Sequence, residues 1–192
     1  PPKSTRYQQF KDYLFYLYPE NLPNQTVSRF SLALGYTRNG QYIEAEKIYR
    51  ELIDSDPDSL WFNYALAENM EYQQRLTEAS QLYHSTLLLF PDDLAIATRL
   101  VNVLLLQDLP QKALDIAMQL YENHKTKPTI YQLLVDTYTK LDNAPLRQLA
   151  EANYQWYNDN KKQAKIQYKA LLSKGLLDVA DEARVKEKLD AN

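Results

Sequence analysis

The chain has 192 residues, a formal net charge of −3, no cysteine and only three glycines. The missing cysteines exclude thiol catalysis, disulfides and cysteine metal sites, and the weakly acidic balance provides no basic face for nucleic acid. A composition rich in leucine, alanine, glutamine, tyrosine and glutamate favours helix throughout. No apolar run approaches the length of roughly 18 residues that would predict membrane insertion.

The first predicted elements are two helices separated by a proline. Residues 4–18 carry apolar side chains at helical spacing until Pro19 ends the segment, and a second helix is predicted over residues 24–39. Gly40 breaks that helix before Tyr42 opens the next one. The sequence begins with Pro1-Pro2 and has no signal segment, so we expect it to be a piece of a longer protein.

One regular spacing then repeats along the chain. Ala45, Ala79 and Ala113 recur at equal intervals, Tyr49 and Tyr83 follow the first two alanines, and prolines close those two units. Small, aromatic and proline residues in this order, with a period of about 34 residues, are typical of the tetratricopeptide repeat. The predicted fold is therefore an all-α, right-handed tetratricopeptide solenoid of helical hairpins with about 11 helices.

The same spacing predicts one continuous domain over residues 1–192, with repeats at about 26–59, 60–93 and 94–127 and degenerate units over 128–192. In the turns at 54–58 and 90–93, proline stops one helix and an acidic residue is expected to cap the next. The alanines are expected where paired helices cross closely, because only a small side chain fits there.

The repeat becomes irregular after Tyr121. Residues 128–141 are predicted to form the first helix of another hairpin. Arg147 stands where the small residue of the second helix should be, so residues 145–157 are predicted to form a non-standard helix. Ala164 and Tyr168 recover the spacing and predict that residues 160–173 pack as a second helix of a hairpin. An amphipathic helix over 178–189 is expected to cap the end of the solenoid.

Catalytic motifs are missing from the chain. His84 and His124 are far apart and lie in no metal-ligand arrangement, so both are expected at ordinary surface or cap positions. Three glycines form no phosphate-binding loop. We therefore expect no enzyme activity, no metal and no cofactor in this chain.

The first helix of each hairpin is expected to line a concave binding face. Aromatic anchors on such a face are typical of binding hot spots, and we expect it to hold an extended protein or peptide segment. For Trp61 and Tyr64, packing against an adjacent helix is the alternative interpretation. The candidate residues are Phe30, Leu34, Arg38, Trp61, Tyr64, Glu68, Tyr72, Thr98, Asn102 and Leu105.

Repeats that bind the acidic C-termini of the large heat-shock chaperones carry lysines and asparagines on this face. Here the matching places hold Phe30, Leu34, Tyr64 and Glu68. That class of partner is therefore disfavoured.

Several segments carry a family resemblance. They are FSLALGY at 30–36, NGQY at 39–42, Glu44-Ala45, LAEANY at 149–154, AKIQY at 164–168 and ARVK at 183–186. With these, the chain resembles the C-terminal repeat domain of the periplasmic β-barrel assembly-enhancing zinc metalloproteases of Gram-negative bacteria. The resemblance implies a periplasmic location and an upstream peptidase domain. It also implies that this domain docks substrates or outer-membrane assembly components.

Two other interpretations of the function stay open. The chain could be a stand-alone scaffold that organises a bacterial envelope complex with no enzyme attached, or a cytosolic regulatory repeat domain.

Overall fold

Helices follow one another along residues 24–190, the part of the chain that the computed structural model describes. This part forms ten helices and no strand, so the all-α prediction is confirmed there. The predicted helix over residues 4–18 lies outside the described residues. The helices are α1 (Asn24–Arg38), α2 (Tyr42–Ser55), α3 (Leu60–Tyr72), α4 (Leu76–Leu89), α5 (Leu94–Leu106), α6 (Pro110–Asn123), α7 (Pro128–Lys140), α8 (Ala144–Tyr157), α9 (Lys161–Lys174) and α10 (Val179–Asp190).

The chain divides into two compact units, residues 1–73 and residues 74–192. In the first unit, the described helices α1, α2 and α3 pack on one another. Ala45 and Tyr49 are completely buried, as the repeat pattern predicts, and Phe62 is also buried in the core. The prediction of one continuous domain with the stated repeat boundaries stays a prediction.

The second unit contains α4 to α10, and each helix packs on the next one along the chain from α4 to α10. Ala79, Tyr83 and Ala113 are completely buried. A second apolar cluster at the C-terminal end joins α8, α9 and α10. Its buried members are Leu149, Ala152, Ala164, Tyr168, Leu171 and Val185.

The turn inside each helical hairpin has one recurring geometry. A residue with positive φ occurs at Gly40, Gln74, Asp108 and Asp142, once in every repeat. After three of them the next N–H donates to a carbonyl in the last turn of the preceding helix: Gln41 to Tyr36 at 2.9 Å, Leu109 to Leu104 at 2.9 Å and Asn143 to Tyr138 at 3.0 Å.

The same turn occurs once more, only half a repeat after Asp142. Asp159 has a φ of 60°, and the N–H of Asn160 donates to the carbonyl of Gln155 at 2.9 Å. Helix α8 is therefore the second helix of the hairpin α7–α8 and also the first helix of the hairpin α8–α9. This confirms that α9 packs as a second helix, and it explains why Ala164 and Tyr168 carry the second-helix pattern.

The predicted acidic caps are present in one turn and missing from the other. Asp93 precedes α5 and accepts hydrogen bonds from the N–H groups of Ala95 and Ile96, both at 2.9 Å. Before α3 the N-cap is Ser59, so the expectation of an acidic cap in the turn at 54–58 is wrong. There the Asn63 amide donates to the carbonyls of Pro57 and Ser59 instead.

Candidate partner-binding site

The α1 candidates differ in their exposure. Leu34 is half-buried and Arg38 is exposed. Phe30 is only 2% exposed, with its ring centroid 5.8 Å from that of Tyr49 and 5.4 Å from that of Phe62. The prediction that Phe30 lines a groove is therefore wrong, because its side chain fills the core between α2 and α3.

The α3 candidates form one stripe on the helix. Trp61, Tyr64, Glu68 and Tyr72 follow each other at spacings of three or four positions, which places them on one side. The first three are half-buried and Tyr72 is 47% exposed. Half-burial of Trp61 and Tyr64 fits both interpretations of their role, since each side chain packs on the protein and also reaches solvent.

A buried polar network lies between the three helices of the first unit. The Thr37 hydroxyl donates to Oδ1 of Asn69 at 3.1 Å, so it accepts from the Tyr49 hydroxyl, also at 3.1 Å. Nδ2 of Asn69 donates to the carbonyl of Tyr42 at 3.0 Å. Because the buried polar groups are paired, the network holds α1, α2 and α3 in one arrangement.

Three candidates act electrostatically on the Tyr49 hydroxyl of this network. Burial raises the pKa of Tyr49 to about 12; Glu68 and Tyr72 also act to raise it, whereas the hydrogen bond with Thr37 and the charge of Arg38 act to lower it. We call the set Leu34, Arg38, Trp61, Tyr64, Glu68 and Tyr72 the α1/α3 face.

A second aromatic ring supports the C-terminal end of this face. Tyr42, which opens α2, stacks on Tyr72 with ring centroids 6.1 Å apart and an angle of 20° between the planes. This contact restricts the Tyr72 ring while leaving about half of the side chain in solvent. A pre-positioned aromatic side chain loses little conformational freedom when a partner binds.

The α5 candidates lie in the second unit. Thr98 and Asn102 are half-buried, and the Thr98 hydroxyl donates to the Leu94 carbonyl at 2.6 Å. Leu105 is only 7% exposed. The prediction that Leu105 contacts a partner is wrong, because its side chain belongs to the core.

Sequence reasoning missed the polar network. The repeat spacing marks Tyr49 only as an aromatic position, and it does not mark Asn69. The available signal was a pair of small polar residues, Thr37 and Asn69, on helices whose other inward positions are mostly apolar. Buried polar residues of this kind have to find partners, so their presence on two neighbouring helices indicates a contact.

The histidines lie at ordinary surface and cap positions, as predicted. His84 is exposed, and His124 is the C-cap residue of α6 with Nε2 3.7 Å from Oδ1 of Asp92. Within residues 24–190 no group of three or more metal-ligating side chains comes together, and none of the described helices combines the length and apolarity needed to cross a membrane.

Residues 36–103 match the family model described as tetratricopeptide repeat. This segment carries the tetratricopeptide repeat pattern. The matched segment begins in α1, ends in α5 and includes most of the α1/α3 face. No curated protein sequence matches the chain.

Solved structures share the fold of this tetratricopeptide repeat domain at low sequence identity. A MamA RS-1 double mutant has a TM-score of 0.62 at 15% identity, covering 88% of this chain and 94% of its own. MamA residues 41 to the end from Desulfovibrio magneticus RS-1 also gives 0.62, at 14% identity and coverages of 80% and 96%. TTC0263, a tetratricopeptide protein of Thermus thermophilus, gives 0.52 at 14% identity, with coverages of 85% and 98%. These matches confirm the predicted fold class.

Proposed function

We propose that this domain binds an extended segment of a partner protein across the α1/α3 face of its first unit. The tetratricopeptide repeat is a protein-interaction scaffold, and this face supplies the contact chemistry. Tyr72 and Arg38 reach solvent, while the largely apolar side chains of Leu34, Trp61 and Tyr64 are half-buried. Rings with one apolar and one polar end are the side chains that most often dominate binding energy.

The observation that carries the proposal is the rigid support beneath this face. Thr37, Tyr49 and Asn69 are hydrogen-bonded and buried directly between the helices that carry the candidate residues. Binding to a preformed surface avoids the entropic cost of ordering it. An extended segment also fits the pattern of the face, because its anchors follow one stripe along α3.

A crosslinking experiment tests the face. The photoreactive residue benzoyl-phenylalanine is placed at Tyr72, and at Met118 on α6 as a control that is also exposed. We expect a discrete adduct from Tyr72 that Met118 does not give. We also expect that a Tyr64→Ala, Tyr72→Ala double variant loses binding to the captured protein, while Tyr154→Ala on α8 retains it. Equal adducts from both positions, or unchanged binding by the double variant, would contradict the proposal.

The partner class follows from the resemblance stated for residues 30–45 and 149–186. We propose that the domain is the docking half of a periplasmic zinc metalloprotease and chaperone, and that it holds substrates or outer-membrane assembly components. The second candidate is a stand-alone envelope scaffold, for which the same binding face would serve.

The coding sequence upstream of Pro1 distinguishes these two candidates. A signal peptide and an in-frame HExxH motif would support the metalloprotease, since two histidines on one helical turn with a glutamate are the zinc site of such enzymes. A start codon or lipoprotein signal directly ahead, without that motif, would support the scaffold.

A further inference from the structure

A pocket in the second unit lies on elements that the α1/α3 face does not include. Its volume is about 510 Å³, and its walls come from the end of α6, from α7, from α8 and from α10. Pockets of this size hold small ligands or single side chains. We call it the Lys188 pocket; the lining residues that matter here are Tyr121, Tyr131, Asn153, Trp156, Tyr157 and Lys188.

Three tyrosines and a tryptophan make part of the pocket wall aromatic and closely packed. Tyr131 stacks on Tyr157 with ring centroids 5.2 Å apart and 7° between the planes, and it meets the edge of Tyr121 at 6.0 Å. The Tyr131 hydroxyl donates to the carbonyl of Lys125 at 2.5 Å. Trp156 lines the same pocket and packs against Tyr168 at 6.1 Å.

Lys188 places its ammonium group inside this aromatic wall. Its Nζ donates to Oδ1 of Asn153 at 2.5 Å, lies 3.4 Å from the Tyr168 hydroxyl and is 4.6 Å from the Tyr157 ring centroid. Among residues 24–190 no carboxylate lies within 4 Å of this nitrogen. The half-buried cation is therefore held by neutral groups only.

Two ion pairs account for four of the six charged residues that line the pocket. Glu122 pairs with Lys125 at 2.8 Å, and Asp181 pairs with Arg184 at 3.0 Å. Glu187 also lines the pocket, but it is exposed and is not within ion-pair distance of Lys188. Among the described lining residues, Lys188 is therefore the one cation without a carboxylate within 4 Å, and its side chain is half-buried whereas the Glu187 carboxylate lies in solvent.

We propose that the Lys188 pocket binds a carboxylate joined to an aromatic or other flat apolar group. An ammonium has three donors, and Asn153 and Tyr168 account for two of them, so the third is available to an anion. An ion pair shielded from water by rings is stronger than one at the surface. The carboxylate could belong to a small organic acid or to the C-terminus of a peptide.

Titration of the intact protein with four probes tests this proposal. The probes are N-acetyl-phenylalanine, its uncharged amide, the peptide Ser-Gly-Ser-Gly-Ala-Phe and the same peptide with an amidated C-terminus. Trp156 fluorescence in a Trp61→Phe background reports binding next to the pocket. We expect both acids to bind at least about tenfold more tightly than their amides, as expected for loss of a charged hydrogen bond. A tighter peptide acid identifies a protein C-terminus as the ligand, and equal affinities identify a small acid.

Two variants locate the binding site. Lys188→Gln should lower the affinity for the acids about tenfold. Lys186→Gln, which makes the same charge change on the same helix at a lysine paired with Glu182, should leave it unchanged. Asn153→Asp places a carboxylate beside Nζ and should also lower the affinity for the acids about tenfold. Equal binding of acids and amides, unchanged binding by Lys188→Gln or Asn153→Asp, or no binding of any probe at millimolar concentration would overturn the proposal.

Discussion

Thr37 shows how one small hydroxyl joins three helices. It is 8% exposed, and its oxygen contacts both the Tyr49 hydroxyl and the Asn69 side chain at 3.1 Å. Its loss would leave two buried polar groups without this partner. Such groups cost more than the hydrogen bond itself contributes, because they no longer reach water.

Thr37→Val should therefore destabilise the protein by about 1–3 kcal/mol, since valine keeps the shape and removes the hydroxyl. Urea unfolding measures the change. Thr139→Val, at an exposed threonine whose hydroxyl bonds only its own helix, is the matched control and should shift the midpoint far less. Similar effects of the two changes would contradict a special role for the network.

Asp108 stores a small amount of backbone strain. Its φ is 57°, a conformation that costs a residue with a side chain about 1–2 kcal/mol. Asp108→Gly removes that strain but makes the unfolded chain more flexible, which offsets part of the gain. We expect a net stabilisation of about 0.5 kcal/mol. Gln119→Gly, inside helix α6, is the control and should destabilise the protein by about 1 kcal/mol. Urea unfolding measures both changes, and a destabilisation by Asp108→Gly as well would be evidence against the strain argument.

Helix α4 carries an alanine at a position with no solvent-exposed surface. Ala79 is completely buried, so a larger side chain there has to displace the atoms packed around it. Ala79→Leu should cost about 1–3 kcal/mol through overpacking. Thermal unfolding tests this against Ala170→Leu, at an exposed position of α9. Equal melting temperatures for the two variants would rule out tight packing around Ala79.

Helix α10 carries a lysine whose burial acts against folding at neutral pH. Burial, and next the positive charge of Arg184, lower the pKa of Lys188 to about 8 from 10.5. The folded state thus binds fewer protons than the unfolded state between these pH values, so the free energy of unfolding rises with pH across that window. Below pH 8 the ammonium is charged in both states, and its burial then lowers the stability by the largest amount.

Lys188→Met should accordingly melt at a higher temperature than the unchanged protein at pH 7, with a difference that shrinks as the pH approaches 10.5. Charged and ionisable groups near Lys188 are Arg184, Glu187, Tyr157 and Tyr168, and they remain in both proteins. Melting curves at pH 7, 8, 9 and 10 provide the measurement. A difference that stays constant with pH would show that charge burial is not its cause.

At the scale of the whole molecule, α10 completes the C-terminal end. Val185 is 2% exposed and packs with Leu177 and Leu189 against the apolar cluster around Leu149 and Tyr168. A chain that stops at Gly175 should expose this cluster, melt at a lower temperature and self-associate, because solenoids need a polar end cap. A chain that stops at Asp190 keeps every buried residue of the cluster and is the control. Size-exclusion chromatography measures the association, and thermal melting measures the stability. If the two truncated chains were equally stable monomers, α10 would not act as an end cap.

Helix positions were predictable closely over most of the described chain, because proline, glycine and the alanine–tyrosine spacing mark them directly. The binding face was predictable only in part. The position of a residue in the repeat predicts which face of the helix it lies on. It does not predict how much of that face the next helix buries. Phe30 and Leu105 were misassigned for this reason, since neighbouring helices enclose both side chains.

The turn at Asp159 has a practical consequence for anyone who would lengthen this protein. This turn comes half a repeat after the turn at Asp142, so the alternation of first and second helices is shifted by one helix from there on. A consensus repeat added after α9 would follow a second helix that lies half a repeat out of step with the hairpin α7–α8. An extension grafted directly after α8, with the turn at Asp159 removed, would keep the original phase.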